Sequence, residues 1–276
     1  MKESTFIKNQ PDWNYDDIRD ELETFCDLYE KRPVKNNVGG IHFNHAFALY
    51  FILKKKNPDL VIESGIFKGQ STWLIEKTLP NAKIISLDID LTKRVYISKK
   101  VHYSDLDFRF HNFSEIPENT LVFFDDHVNH IERIKDANYF KIKNIIFEDN
   151  YPSNLGDFQT IKQCYEKHNF VHPLTTLSIF KTFFLFTKIL LKKMILKNYN
   201  ASYNLYLLRN RIRDYYQDND EFKNLNKIIE TYYEFPPISN QTLESDQSIF
   251  IKDSKKLDSY QSELKYYNYL TYIKLK

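Results

Sequence analysis

The sequence predicts an α/β protein: a doubly wound, mostly parallel sheet of about seven strands with helical additions. Short apolar runs of strand length recur between longer amphipathic stretches, at 60–62, Lys83–Leu87, Thr120–Phe124 and Asn144–Phe147. Runs apolar on both sides suit strands covered on both faces. The stretch 60–90 reads as a strand, a glycine turn, a helix and a second strand tipped by an acid. These runs end in polar residues: Glu63, Asp88, Asp125-Asp126-His127 and Glu148-Asp149-Asn150. Ligands bind at that end of an open parallel sheet.

Taken in order, 15–29 carries mixed charge around Ile18, Leu22, Phe25 and Leu28, the spacing of a peripheral amphipathic helix. Asn36 to Gly40 is a turn, 43–55 an apolar helix, and Asn57-Pro58-Asp59 stops it ahead of the first strand. Gln70–Thr78 is the helix after the glycine turn. A short helix is expected at 91–99, a third strand at 105–113 and a helix at 131–139. The next helix is expected at 157–168, with Asp157 as its N-cap. Strands alternating with helices imply right-handed crossovers and a Rossmann-like sheet. The segment 175–196 is apolar with a narrow lysine face. Its lysines argue against a stable membrane span, and a buried or partner-facing helix is expected ahead of one lying in a membrane interface, which leaves a homodimer open. Residues 197–257 read as helical and then loop-like, and 264–275 as an antiparallel strand closing the sheet. The expected parts are a helical segment 1–34, a core 35–175, a helical insertion 176–257 and a closing strand within 258–276.

At 276 residues the chain can bury a full core, as one large domain or one domain with an embellishment. Its 39 basic and 37 acidic residues leave a net charge of +2, so nothing draws it to nucleic acid. Cys26 and Cys164 stand alone without metal or redox spacing, and the N-terminus has no apolar leader core. A cytoplasmic, reducing location is therefore expected.

The turn between the first strand and its helix reads E-x-G-x-x-x-G, through Glu63, Gly65 and Gly69. It lacks the tighter G-x-G-x-x-G that seats a pyrophosphate. The pattern resembles motif I of class I S-adenosylmethionine-dependent methyltransferases, whose cofactor carries no phosphate. That resemblance implies that Glu63, Gly65 and Gly69 pack along the cofactor and that Asp88 takes its ribose hydroxyls. Ser71 and Thr72 would cap the helix or touch the same ligand.

Asp125-Asp126-His127 and Glu148-Asp149-Asn150 end two strands separated by one helical crossover, which makes them neighbours in a parallel sheet. Carboxylates brought that close repel one another unless a cation intervenes, and magnesium is the default for oxygen ligands. The run FFDDH followed by FEDN is similar to the metal-binding pattern of the cephalosporin hydroxylase-like and macrocin O-methyltransferase-like branch. The resemblance, which spans about 38–168, implies Asp125, Glu148 and Asp149 as magnesium ligands, with Asp126 the alternative to Asp125. His127 is the candidate general base, with Asp126 beside it; a histidine that only orients an acid is the other reading. His42 and His45 have weaker claims, as pocket-lining or as solvent or core residues.

Methyl transfer from S-adenosylmethionine to a hydroxyl of a sugar, glycan or glycosylated small molecule is therefore the expected activity. A Rossmann-fold oxidoreductase and a non-catalytic interaction module remain as rivals. Nucleic acid is not an expected substrate, since FDDH stands where a base-methylating enzyme would carry an N-P-P-Y-like tetrad.

Overall fold

The computed structural model describes residues 8–153, 155–166, 187, 219–238 and 255–276. It holds one seven-stranded sheet in the order β3-β2-β1-β4-β5-β7-β6. The strands are β1 (Leu60–Ser64), β2 (Lys83–Leu87), β3 (Val101–Ser104), β4 (Thr120–Phe124), β5 (Asn144–Phe147), β6 (Ile229–Glu234) and β7 (Thr271–Leu275). Strands β1 to β5 pair in parallel, and β7 runs antiparallel between β5 and β6. The predicted fold class is the observed one.

The strands bury both faces by alternation. Val61, Leu121, Phe123, Ile146 and Tyr272 face one core, which is covered by α2 (Leu22–Tyr29), α3 (Phe43–Lys56) and α4 (Gln70–Thr78). Leu60, Ile62, Val122, Phe124, Ile145, Phe147 and Ile273 face the other, with Ile131 and Ile134 of α5 (His130–Tyr139), Ile161 of α6 (Ile161–Tyr165) and Leu225 of α7 (Asn219–Ile228). Ahead of these, α1 (Tyr15–Asp20) carries a capping box between Asn14 and Asp17 and is separate from α2, so the expected 15–29 helix is broken at Glu21. Asn57, in a left-handed conformation (φ 41°), ends α3.

Several expectations are corrected. Only Leu91–Lys93 of 91–99 is helical, as a single 3-10 turn. The third strand is Val101–Ser104 rather than 105–113; there Phe108 is buried in a 3-10 turn that Asp107 caps through the N–H of Arg109. The helix expected from Asp157 begins at Ile161, capped by Thr160, whose hydroxyl accepts the Gln163 N–H. Strand β6 lies inside the stretch read as a helical insertion, and the closing strand is confined to Thr271–Leu275. Apart from Thr187, the segment 175–196 lies outside the described residues, among which no helix is long and apolar enough to cross a membrane. Neither cysteine is in a disulfide.

Candidate active site

Strand order reverses between β1 and β4, and a cleft opens at the carboxyl ends of β1, β2 and β4, the switch point of the sheet. Gly65 is required there. Its φ is +99°, and a Cβ would lie 2.0 Å from the Asp125 carbonyl oxygen, so the β1 and β4 tips touch through bare backbone. The cleft measures about 200 Å³ and is lined by Gly65, Asp88, Ile89, Leu106 and Asp125 among others.

Of the residues expected to hold a cofactor, Gly65 and Asp88 line this cleft. Gly69 (φ +84°) starts α4 and backs onto the Tyr96 carbonyl. Glu63 is fully buried beneath the turn, where it accepts hydrogen bonds from the hydroxyls of Thr72 (2.6 Å) and Ser86 (2.5 Å). Burial pushes its pKa up to about 6, against the opposing pull of Ser71, Ser86 and Thr72. Glu63 and Ser71 thus brace the turn from below. The Asp88 carboxylate is largely committed to the same turn: Oδ2 accepts the N–H groups of Ile66 (2.8 Å) and Phe67 (2.9 Å), and Oδ1 accepts that of Asp90 (2.8 Å). With two lone pairs per oxygen, one acceptor direction is left for a ligand hydroxyl. A carboxylate on a turn of bare amides, open to one hydroxyl, fits the ribose edge of an adenosyl ligand. Ile89 and Leu106, which sequence reasoning did not single out, supply exposed apolar surface on the same wall.

The acids after β4 separate into two environments. Asp126 turns inward: its Oδ2 accepts from the Ser64 hydroxyl (2.6 Å) and pairs with Arg133 Nη2 (2.7 Å). Arg133 is fully buried on α5 and also pairs with Asp107 (2.6 Å) and Asp136 (3.3 Å). Asp125 turns the other way, toward the β5 tip. Burial pushes its pKa well up, and the charges of Glu148 and Asp149 add to the rise. No described residue hydrogen bonds its side chain.

At the β5 tip, Asp149 accepts from the Tyr151 hydroxyl (Oδ2, 2.8 Å) and from Asn268 Nδ2 (Oδ1, 2.8 Å). Glu148 is buried, its pKa also raised by burial first and by Asp149 second, and its Oε1 contacts Nδ1 of the buried His45. Donor atoms of Asp125, His127 and Asp149 lie within 4.8 Å of one another, as do those of His45, Glu148 and Asp149. The carboxylates of this set, which among the described residues face the half-exposed His127 as countercharge, fit a hard divalent cation. His127 is half-exposed and sits in the left-handed region (φ 53°). Its Nδ1 lies 3.1 Å from Asp157 and its Nε2 4.0 Å from Asp149. The Asp157 hydrogen bond, above all, holds its pKa up at about 9 against the opposing effect of burial. Asp157 is thus a partner of the candidate base, and no helix cap.

The structure therefore brings Asp125, His127, Glu148 and Asp149 together and sends Asp126 elsewhere. Sequence reasoning missed Asn268 and Tyr151 and gave His45 little weight. Asn268 is more than a hundred residues from its partner Asp149, and nothing in its local pattern marks it.

A doubly wound sheet with a switch-point cleft and an adjoining acidic rim defines a class of ligand-binding α/β proteins. No family model and no curated protein matches this chain. Among solved structures it is similar to one titled cmcI-N160 SAH, at 17% identity over 40% of this chain and 62% of that chain, with a TM-score of 0.35. It is also similar to a putative O-methyltransferase from Klebsiella pneumoniae (16% identity, 47% and 64% covered, TM-score 0.35). A third is an O-methyltransferase from Bacillus cereus in complex with SAH (14% identity, 49% and 66% covered, TM-score 0.34). This chain thus covers less than two thirds of the first of them.

Proposed function

We propose that this chain is an S-adenosylmethionine-dependent O-methyltransferase, assisted by a divalent cation, acting on a hydroxyl of a sugar, glycan or glycosylated small molecule. The observation that carries the reading is the meeting of the β4 and β5 tips, Asp125 with Asp149, beside a cleft at the sheet's switch point. Gly65 and Asp88 would hold the cofactor, with Ile89 and Leu106 against its base; Asp125, Glu148 and Asp149 would hold the cation. When bound, the cofactor supplies an activated methyl group and the cation lowers the pKa of an acceptor hydroxyl and orients it.

His127 takes the acceptor proton on Nε2, while Asp157 fixes the ring through Nδ1. Asp157 first, and Asp125 and Asp149 after it, favour its protonated form; neutralising the charge of the last two would withdraw the smaller part of that influence and lower the ring's pKa toward the range of a base. Glu63, Ser71 and Gly69 act through the turn: they set where Gly65 and the Ile66 and Phe67 amides lie.

Calorimetric titration with S-adenosylhomocysteine, with and without magnesium, tests the reading. Binding of the thioether in the micromolar range, with Asp149→Asn losing the magnesium effect and keeping the ligand, is the expected result. Binding of a nicotinamide cofactor in its place would favour the oxidoreductase reading.

A further inference from the structure

We infer that His45 is a positioning residue for the acidic rim: it orients Glu148 through an Nδ1–H hydrogen bond, and the backbone amide of Asn268 locks it in the tautomer that can do so. The inference rests on the proposed cation site and concerns which of the surrounding side chains can ligate.

His45 lies buried in the first turn of α3. Its Nε2 accepts the Asn268 N–H at 2.8 Å, and its Nδ1 contacts Glu148 Oε1. A ring nitrogen that accepts an N–H must carry a lone pair, so the ring's proton is on Nδ1. A doubly protonated ring would set Nε2–H against the Asn268 N–H, donor against donor, in a buried site. Geometry alone therefore fixes one neutral tautomer, with Nδ1–H donating to the carboxylate.

Two consequences follow. His45 has no lone pair facing the rim. Although one of its ring nitrogens falls within 4.8 Å of donor atoms of Glu148 and Asp149, it orients a ligand and does not ligate. Glu148, with Oε1 held, has Oε2 left for a cation. The same segment serves both acids of the β5 tip, because Asn268 also donates its side-chain N–H to Asp149 Oδ1 and accepts the Asn150 N–H on its carbonyl, each at 2.8 Å. Asn44, beside His45, ties α3 to this segment by donating to the carbonyls of Leu264 (2.9 Å) and Tyr266 (3.1 Å). Outer groups that orient metal ligands in this way affect affinity by roughly 10- to 100-fold.

Two substitutions separate the roles. In His45→Asn the amide nitrogen can take the place of Nδ1 and keep the donor to Glu148. In His45→Gln the amide oxygen can take the place of Nε2 and keep the acceptor for Asn268. Magnesium titrated calorimetrically into the full chain should bind His45→Gln on the order of 10- to 100-fold more weakly than wild type, and His45→Asn within about threefold. The two melting temperatures should fall by similar amounts. A purely structural role would move both affinities together. Wild-type affinity in His45→Gln, with wild-type binding still lost in Asp149→Asn, overturns this inference and leaves the cation reading intact. Absence of magnesium binding in the wild type overturns both. Long-range ¹H–¹⁵N spectra give a readout that needs no metal: Nδ1 of His45 should carry the proton, and a protonated Nε2 overturns the inference.

Discussion

Two acidic clusters grow from adjacent residues of one turn, and they differ in what neutralises them. Asp126 joins Asp107 and Asp136 around the guanidinium of Arg133, with oxygens 2.6 to 3.3 Å from its nitrogens. Asp125 joins Glu148 and Asp149, where the described residues supply one half-exposed imidazole and no lysine or arginine. Buried charge must be matched or it shifts toward neutrality. The first cluster is met by the chain's own guanidinium, which offsets the effect of burial on Asp126 and Asp136 only in part, and it reads as architecture. The second has only the imidazole of His127 among the described residues and is fully matched only if a cation comes from outside. An acid pair such as Asp125-Asp126 is thus two residues in opposite environments, and the division follows Arg133.

The sharpest way to break this comparison is to remove the internal cation. Arg133→Leu leaves buried carboxylates uncompensated and should cost about 3–5 kcal/mol of stability, read by urea denaturation. A loss below about 1 kcal/mol would mean that the cluster is not held by that charge. Next in size is supplying the external cation. Magnesium at a hundred times its dissociation constant should stabilise the fold by about 2.7 kcal/mol, and a chelator should reverse the gain. A melting temperature indifferent to magnesium, manganese and calcium would put the second cluster in the same class as the first. Third, Asp126→Asn should cost about 1–3 kcal/mol and keep the magnesium response, whereas Asp125→Asn should cost little without metal and lose that response. Equal behaviour of the two variants would erase the distinction.

How much of this was legible depended on where the signal sits in the chain. Strands β2, β4 and β5 and the helix α4 follow the sequence reading to the residue, because each is a local apolar run bounded by acids or glycine. The aromatic run around Phe108 misled, since a buried phenylalanine in a 3-10 turn has the same local composition as a strand. Strand β6 begins one residue after α7 ends, with no turn residue between them, so the helical reading ran through it. At the site, the acids were legible as strand tips. The split between Asp125 and Asp126 was not, because it depends on a buried arginine one helix away. His45 and Asn268 were invisible as a pair because only the folded sheet brings them together, 223 positions apart.

Glu63 is a third kind of acid, and it sharpens the comparison from the smallest effect. It is buried like Asp126 but is met by neutral hydroxyls in place of a guanidinium. Hydroxyl dipoles, like the guanidinium beside Asp126, offset burial only in part, so the Glu63 pKa rises from 4.5 to about 6, a difference worth about 2 kcal/mol. The sign follows from linkage. A carboxyl whose pKa is higher in the folded state than in the unfolded chain favours folding while it is protonated. That contribution is fully present below about pH 4.5 and is lost as pH rises through about 6. Glu63→Gln stays neutral throughout and abolishes this dependence, whatever fixed cost its altered hydrogen bonds impose. The stability of the variant relative to wild type should therefore climb by about 2 kcal/mol between pH 4.5 and pH 7. A flat difference across that range would mean that the hydroxyls of Ser71, Thr72 and Ser86 stabilise the charged carboxylate as fully as water does.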